Sequence, residues 1–506
     1  MRPAVVPRLG IGTKVVYGFG STAFGTKDFG FATFLLIFYS QVLGLPATLV
    51  SFAIMIALVC DALFDPIIGQ ISDNWHSRLG RRHPFMYGAA LPIAVFYFLL
   101  WNPPHWHGMA LFGYLVVVAV LVRIVIACYE IPSAALAPEL TKDYDERTSL
   151  MGFRLLFGAV GGGLTVAVAL GLFMVATKAQ PTAILNRAGY FNYSVLAALV
   201  MMTSILVSAW GTHSRIPFLR QVPVQQRPGL RQIVRQMAQS LSNRSLQMVV
   251  LGALFGGVAG GLTTTLNTYF GTYLWRFTPQ QLSVIGVAAL LAAILSLPLS
   301  TFASRRFGKR EGYMATAVGS LVVNNITMVL KLFGLMPPDG STALLLVFFV
   351  TLTIGVAFAI ASLILVTSMI TDIVEDSEIK TGRRSEGLFS AALSFVTKAT
   401  SGFGILLAGA MIDLVAFPKQ ASPATIDIVA PHAVRNLVLL YMPTQLTLYF
   451  IAVFLVSRYR IDRKTHEDNL ARLAQAAAIA EIAPIAAIAP GGSEDPSGVT
   501  IAAAGG

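Results

Sequence analysis

Two carboxylates lie four residues apart at the end of an apolar run. Asp61 directly follows the residues SFAIMIALVC, Asp65 comes four residues later, and both precede a cluster of arginines. On a helix, residues four apart lie on one face, one turn above the other. An acid near the centre of a bilayer costs about 2.5–3.5 kcal/mol on insertion scales, and a cavity, a partner charge or a bound cation usually compensates for it. The pair therefore predicts half of a cation-binding site. The alternative is that both acids only cap or pair within a packed bundle.

Composition places these acids in a membrane protein. Of the 506 residues, 55% are hydrophobic and only 12% are charged, and the mean hydropathy is +0.71. A soluble protein has about 25% charged residues. Long apolar runs recur along the whole chain, which predicts an all-α polytopic membrane protein. Cys60 and Cys128 fall within apolar runs without metal-ligand spacing, so we expect packed thiols and neither a structural metal nor a cofactor.

About twelve membrane spans are predicted, at roughly twenty apolar residues per crossing. Their approximate positions are 13–43, 47–73, 84–101, 109–139, 147–176, 190–210, 245–274, 280–302, 312–334, 342–374, 386–414 and 434–457. The arginine-rich central loop 211–243 separates two six-helix halves, residues 1–210 and 244–460. Residues 461–506 are an Ala-rich tail to which we assign no function. The run RRFGKR in the second half repeats the position of RLGRR in the first, as expected for two repeats that flank a midplane site.

Lysine and arginine are concentrated in alternate connections between the spans. The basic segments include RLGRR, SRRFGKRE and TGRRSE, whereas LGLPAT, NPPHWHG, RFTPQ and GLMPPDGST carry little charge. Under the positive-inside rule, this pattern predicts that both termini and residues 211–243 are cytoplasmic. Topology thereby accounts for the net charge of +12, which does not indicate nucleic-acid binding.

Further ionisable residues lie inside the predicted spans. The first span holds Lys27 and Asp28, the fourth Arg123 and Glu130, the fifth Arg154 and the eleventh Lys398. Ionisable residues inside a membrane mark substrate or ion pathways, and acids and bases together can neutralise each other across a cavity. Because Arg123 and Glu130 are seven residues apart, they share a helix face. We expect Arg123 to be a structural counter-ion rather than a substrate contact.

Five segments resemble one protein family, in the same order as in that family. They are YGFGSTAFGTKDFG, DALFDPIIGQISDNWHSRLGRRHP, YEIPSAALAPEL, DERTSLMGFR and MITDIVEDSEIKTGRRSEGLFSAALSFVTKATSGFG. On these segments the chain resembles the major facilitator superfamily and, within it, the glycoside–pentoside–hexuronide:cation symporters, the group of the bacterial melibiose permease. The resemblance implies the major facilitator fold, a place in the inner (plasma) membrane, and alternating access between the two halves.

The resemblance also implies roles for individual residues. Asp61 and Asp65 match the aspartates that bind the coupling cation. The positions that match substrate-binding or neighbouring residues are Lys27, Asp28, Glu130, Arg154 and Lys398, the last being close to both sites. Charge-assisted hydrogen bonds to sugar hydroxyls are the stronger ones, which suits charged residues to this role. The implied function is cation-coupled symport of a glycoside or related sugar, in which cation and substrate each favour the binding of the other.

Three positions depart from the pattern of this family. Its sugar carriers have a tryptophan one turn after the fourth-helix acid, where this chain has Ala134. Near the cation site, Phe64 and Ala127 replace an asparagine and a threonine. Na⁺ requires several oxygen ligands, whereas a proton requires only a carboxylate, so the sequence favours H⁺ over Na⁺ as the coupling ion. Glu130 followed by small residues also resembles the lysolipid-carrying animal relatives of the family, which leaves sugar specificity open.

Charged residues at the cytoplasmic ends of the second and tenth spans predict an inner gate. Its expected members are Asp73, Arg78, Arg81, Arg82, Asp372, Glu375, Arg383 and Arg384. We expect the residues around Asp372 to form salt bridges with those around Asp73. The alternative is solvated surface charge, in which each ion pair contributes little to stability.

Two other functions are compatible with parts of the sequence. A cation-coupled transporter of lysolipids or other amphipathic solutes would have an apolar cavity with a lateral opening toward lipid, whereas a sugar carrier would have a polar, closed one. A membrane enzyme acting on a lipid-linked substrate would need a clustered nucleophile, a metal-ligand set or a phosphate-binding loop. No convincing ligand set is formed by the seven histidines, which lie in or beside loops: His76, His83, His105, His107, His213, His432 and His466. We therefore expect a transporter and not an enzyme.

The predicted topology can be tested by cysteine labelling in intact cells. In a chain without Cys60 and Cys128, a cysteine introduced by Gln226→Cys should not react with a membrane-impermeant maleimide, because residues 211–243 are expected to be cytoplasmic. The matched control is His105→Cys in the charge-poor segment NPPHWHG, which should react. Labelling of the Gln226→Cys chain from outside would overturn the orientation.

Overall fold

A computed structural model describes residues 9–141, 143–177, 182–218, 244–381, 386–418 and 431–459. Within these ranges the chain is helical, and the α-helices are numbered in chain order. They are α1 (Ile11–Phe19), α2 (Thr22–Gly30), α3 (Ala47–Asn74), α4 (His83–Trp101), α5 (Gly108–Leu140), α6 (Tyr144–Val168), α7 (Arg187–His213), α8 (Arg244–Tyr269), α9 (Pro279–Phe307), α10 (Lys309–Leu332), α11 (Thr342–Thr381), α12 (Glu386–Leu414) and α13 (Pro431–Val456).

The helices confirm the predicted all-α membrane architecture. Ten of them, within the described ranges, have segments long and apolar enough to cross a bilayer. The two remaining predicted spans are also helical: the first consists of α1 and α2 with the π-helical turns Phe31–Leu35 and Phe38–Val42, and the eleventh is α12. The predicted central loop begins later than expected, because α7 continues to His213 and a 3₁₀ turn follows at Ile216–Phe218. Residues 219–243 lie outside the described ranges.

The first span is interrupted rather than continuous. α1 ends at Phe19 and α2 begins at Thr22, and Gly20 lies in the break between them. Glycine costs a helix interior about 1 kcal/mol relative to alanine, so a break at such a position is inexpensive. The second part of this span, α2, carries Lys27 and Asp28.

Glycines allow α2 and α6 to lie almost in backbone contact. A Cβ atom on Gly25 would lie 2.0 Å from the carbonyl oxygen of Gly158, and one on Gly162 would lie 2.4 Å from the carbonyl carbon of Gly25. Small residues at such crossings are typical of membrane helices, whose association depends on close packing. The crossing brings the segment with Lys27 and Asp28 against the helix that carries Arg154.

The helices α3 and α12 run antiparallel and join the two halves of the chain. A Cβ atom on Gly402 would lie 3.0 Å from Cγ of Met55, and one on Gly409 would lie 2.3 Å from Oγ of Ser51. At the start of α3, the carboxylate of Asp413 accepts hydrogen bonds from the backbone N–H groups of Ala47 and Thr48, at 3.3 and 2.8 Å. This register places Lys398 of α12 level with the two aspartates of α3.

The two ends of the bundle differ in how the halves meet. We call the end that carries Arg81, Arg82 and Lys309 the basic end, and the other the opposite end. Near the opposite end, the hydroxyl groups of Ser40 and Tyr269 are hydrogen-bonded at 2.5 Å across the two halves. This bond and the Asp413 contacts close the bundle at the opposite end.

The close crossing of α2 and α6 predicts a position-specific cost of added bulk. Gly25→Ala should lower the thermal unfolding midpoint of the detergent-solubilised protein, because overpacking a tight contact costs about 1–3 kcal/mol. Gly163→Ala is the matched control on α6, since its Cβ would lie 3.9 Å from the nearest atom of Phe29. Equal midpoints for the two variants would contradict the close crossing.

Candidate functional site

The centre of the site is Asp61, a buried carboxylate of α3. Its Oδ2 accepts a hydrogen bond from Nη1 of Arg123 at 3.2 Å and from Nζ of Lys398 at 3.0 Å. Only 4% of Asp61 is exposed. Arg123 lies on α5 of the first half and Lys398 on α12 of the second, so this carboxylate is a meeting point of three helices. Its charge is neutralised from both halves of the chain.

Asp65 shares one of these partners. Its Oδ2 accepts a hydrogen bond from Nζ of Lys398 at 2.5 Å, so a single ammonium group bridges both carboxylates. The side chains of Lys398 and Asp65 are 32% and 28% exposed, in contrast to 5% for that of Asp61. The pair therefore has a dry member, Asp61, and a member accessible to solvent, Asp65. The predicted face of two aspartates is present, and Lys398 occupies the position of a cation between them.

Arg123 has the contacts expected of a structural counter-ion. It is buried, and its guanidinium lies 5.0 Å from the centre of the Phe31 ring while it pairs with Asp61. Among the described residues, its Nε has no hydrogen-bond partner. The acid that it pairs with is thus on a neighbouring helix, and Glu130, seven residues away on its own helix, is not in contact with it.

The four remaining predicted substrate residues are Lys27, Asp28, Glu130 and Arg154, and three of them have polar contacts within the protein. Nζ of Lys27 lies 2.7 Å from Oδ1 of Asp28, and the lysine is buried whereas the aspartate is exposed. Nη1 of Arg154 donates a hydrogen bond to Oγ of Ser133 at 2.9 Å. Glu130 is half-buried and makes no hydrogen bond or ion pair with the described residues.

Arg154 is held by aromatic rings as well as by Ser133. Its guanidinium carbon lies 5.3 Å from the centre of the Phe24 ring and 5.9 Å from that of Tyr17. The hydroxyl group of Tyr17 donates to the backbone oxygen of Ser133 at 2.8 Å. A cation over an aromatic face gains about 0.5–2 kcal/mol, more when it is desolvated. Arg154 is thus fixed in place without an acidic partner in the described ranges.

The charges of this cluster balance. Its acids are Asp28, Asp61, Asp65 and Glu130, and its bases are Lys27, Arg123, Arg154 and Lys398. With four acids and four bases ionised, the sum is zero. A bound cation would add a charge to this neutral cluster, and at Asp61 or Asp65 it would compete with the ammonium group of Lys398. The contact of Lys398 with Asp65 is the accessible one.

A cavity of about 770 Å³ lies beside this cluster. On the side of the first half it is lined by residues that include Asp28, Phe31 and Arg123, and the rest of its wall comes from α8 and α10–α13. Among the predicted substrate residues Asp28 lines this cavity, whereas the other four lie outside its lining. Sequence reasoning missed the second-half wall, which contains the amides Asn324 and Gln445. Amides inside apolar spans were the available signal.

At the basic end, the predicted gate residues of the first half pair with an acid that we had not predicted. Arg81 and Arg82 each lie 3.0 Å from Oε1 of Glu139, and Arg82 also lies 2.5 Å from Asp73. Arg78 is exposed and forms no ion pair among the described residues. Glu139 is the penultimate residue of α5.

The predicted gate residue of the second half has its own local partners. Asp372 accepts hydrogen bonds from Nζ of Lys309, at 2.6 and 2.8 Å, and from the hydroxyl group of Tyr459 at 3.1 Å. The side chains of the other predicted members, Glu375, Arg383 and Arg384, lie outside the described residues. Salt bridges between the two halves at this end therefore stay a prediction.

Comparisons with protein families, individual proteins and solved structures all find similarity to transporters. Residues 16–463 match the family described as MFS/sugar transport protein. The isoprimeverose transporter of Lactiplantibacillus pentosus is 25% identical over 76% of this chain and 75% of its own. The sodium-dependent lysophosphatidylcholine symporter 1 of Gallus gallus is 23% identical over 91% and 89%. Among solved structures, a nucleoside transporter has a TM-score of 0.58 at 15% identity, covering 88% of this chain and 99% of that one, which shows a shared fold.

The different burial of the two cations predicts different effects of removing them. Arg123→Leu should lower the thermal unfolding midpoint strongly, because breaking a buried ion pair costs about 3–5 kcal/mol. Lys398→Leu should lower it less, since Lys398 and Asp65 are partly exposed and water can solvate the acid that is left. Equal effects of the two substitutions, or a larger effect of Lys398→Leu, would contradict this assignment.

Proposed function

Because the chain belongs to the MFS/sugar transport protein family, we propose that it is a cation-coupled symporter of a glycoside or related sugar. The observation that carries the proposal is the contact of Lys398 with Asp61 and Asp65. This contact joins the proposed cation site to the interface between the halves. A cation that replaces Lys398 there would remove a contact between the two halves. Alternating access of the two halves around such a site is the mechanism of this class of carrier.

The coupling follows from competition for Asp65. Lys398 neutralises the aspartates in the unloaded protein, and a proton or metal cation at Asp65 would release its ammonium group from that acid. Asp61 would keep Arg123 as its partner throughout. Because binding free energies are reciprocal, a substrate that is favoured by the loaded state must in turn favour cation binding.

A proton is the proposed coupling ion. Phe64, which precedes Asp65, and Ala127, one turn after Arg123 on α5, offer no side-chain oxygen to a metal ion. Protonation of Asp65 needs no further ligand. Na⁺ is the alternative, since the animal relative is named as sodium-dependent. Uptake under separate H⁺ and Na⁺ gradients distinguishes the two ions.

A glycoside is the proposed substrate. The family description and the name of the isoprimeverose transporter support a sugar. Asp28 at the cavity wall accepts charge-assisted hydrogen bonds from hydroxyl groups, and Arg123 donates them. Arg123, expected from the sequence to be a counter-ion only, thereby has both roles, because it lines the cavity while it pairs with Asp61. An amphipathic solute is the second candidate, because apolar side chains make up much of the second-half wall and one relative is named for a lysolipid.

The orientation completes the proposal. If the basic end faces the cytoplasm of a bacterial inner membrane, the contacts of Ser40 with Tyr269 and of Asp413 with α3 close the outward side. The conformation would then be closed to the outside, with its gate residues at the cytoplasmic end.

The coupling role is tested by Asp65→Asn, which keeps the shape of the side chain and removes its charge. We expect accumulation of sugar in proteoliposomes to vanish, because no cation can be exchanged for Lys398, while exchange of substrate down its own gradient survives. Asp339→Asn is the control: this acid pairs with Lys331 in the connection between α10 and α11. It should leave both activities intact.

Loss of both accumulation and exchange in the Asp65→Asn carrier would indicate a structural role for this residue. The proposal is wrong if Asp65→Asn and Asp61→Asn each still accumulate substrate against its gradient. A panel of sugars and lysolipids in the same assay decides between the two substrate classes.

A further inference from the structure

The cavity beside the charged cluster extends far into the second half. Beyond Asp28 and Arg123, the residues that line it carry no formal charge. They belong mainly to the facing sides of α8, α10, α11 and α13. Its volume of about 770 Å³ lies within the range of roughly 300–1,000 Å³ that is usual for sites that bury a small organic molecule. Asp28 and Arg123 are thus the members of the charged cluster that line this cavity.

One wall of this cavity is formed by α8, which contributes several glycines beside Ala253 and three threonines. The glycines of α8 that line it are Gly252, Gly256, Gly257, Gly260 and Gly261. A Cβ atom on Gly260 would meet no atom within 4 Å. Because Gly260 has no side chain, the space beside it stays open. Helix packing does not require a glycine at this position. By contrast, a Cβ on Gly257 would lie 2.2 Å from Oγ1 of Thr400.

The wall opposite these glycines is largely apolar and aromatic. Leu321, Met328, Phe348, Leu352 and Val356 line it from α10 and α11. A free sugar carries hydroxyl groups on every side, and a buried hydroxyl without a partner costs about 1–3 kcal/mol. Apolar surface placed against the same wall gains about 25 cal/mol per Å². The wall therefore suits an apolar group better than a second sugar ring.

Elsewhere in the cavity lining, Gln445 offers one unsatisfied acceptor. It lines the cavity from α13, only 4% of it is exposed, and its Oε1 accepts no hydrogen bond from the described residues. A buried acceptor without a donor costs about 1–3 kcal/mol, so buried amides usually have partners. A donor on a bound solute would satisfy it.

We propose that this cavity is a second substrate subsite, which binds the apolar aglycone of a glycoside whose sugar lies at Asp28 and Arg123. Gln445 accepts a hydrogen bond from a donor group of the bound solute. The inference rests on the proposed function and adds a substrate class, namely sugars that carry an aryl or alkyl group. Gly260 sets the width of the subsite.

The first test is binding to the purified full-length carrier in nanodiscs. The probes are 4-nitrophenyl glycosides of glucose, galactose and xylose, each compared with its free sugar. Nitrophenyl groups quench tryptophan emission, and Trp275 lines the cavity. We expect quenching that is lost in Trp275→Phe, and an affinity for at least one nitrophenyl glycoside about tenfold or more above that of its free sugar.

The second test fills the subsite. Gly260→Leu should reduce the selectivity for the nitrophenyl glycoside over the free sugar by about tenfold, the effect of one misfitting group in an apolar pocket. The control is Gly286→Leu on α9, an exposed position where a Cβ also meets no atom within 4 Å and which is not part of the cavity lining. It should leave the selectivity unchanged. If Gly260→Leu fails to fold, Gln445→Leu replaces it in this test. Gln445→Leu removes the acceptor for a donor group of the solute. We therefore expect it to weaken the binding of 4-hydroxyphenyl glycosides more than that of 4-nitrophenyl glycosides, each compared with the unsubstituted protein.

Uptake in proteoliposomes separates failure of the subsite from failure of the proposed function. If a cation gradient drives uptake of a free sugar and nitrophenyl glycosides neither compete nor enter, the subsite is wrong and the symporter stands. If nitrophenyl glycosides bind selectively in the predicted manner and no gradient drives uptake of any sugar, the subsite stands and the coupling is wrong. Equal loss of affinity for both ligands in folded Gly260→Leu protein overturns the subsite.

Discussion

The contact of one ammonium group with two carboxylates is the interaction on which the arrangement of this protein depends. Lys398 reaches Asp61 and Asp65 across the boundary between the halves. Burying such a pair is not a strong source of stability, because desolvation of the charges can exceed their attraction. In the proposed mechanism, this contact is important because a cation can replace the ammonium group of Lys398. A proton or cation that binds at Asp65 displaces this ammonium group from that acid and frees a link between the two halves.

The same two helices carry a second link at the opposite end. Asp413 of α12 accepts hydrogen bonds from the first N–H groups of α3, where the helix dipole also favours a negative charge. From Lys398 to Asp413 the helix rises by about 22 Å at 1.5 Å per residue. Glycines between these residues keep α12 close to α3. A tilt of one helix against the other would therefore affect the ion contact and the contacts at the opposite end together. This gives the proposed coupling site a mechanical connection to the opposite end.

The sequence was sufficient to find the helices and the ionisable residues inside them, because apolar runs of fixed length and charges within them are local signals. It could not determine which charges meet. Arg123 was expected to share a face with Glu130, and it does, but its partner is Asp61 on another helix. When a span is apolar on all sides, the pattern of its residues does not show how the helix is rotated in the bundle, because lipid and the bundle interior favour the same residues. The role of Glu139 and the second-half cavity wall depend on that rotation and were missed for this reason.

The two halves contribute different chemistry to one cavity, and Arg123 is where the two contributions meet. It pairs with Asp61 and also lines the cavity beside Asp28. A guanidinium has five N–H donors, and the contact with Asp61 uses one of them among the described residues. In the proposed mechanism, a sugar oxygen that accepts from another of these donors fixes Arg123 in place and leaves Asp61 neutralised. Lys398 is then the group that a cation at Asp65 displaces. Substrate and cation would thus stabilise the same arrangement of charges from two sides, which is the condition for each to increase the affinity of the other.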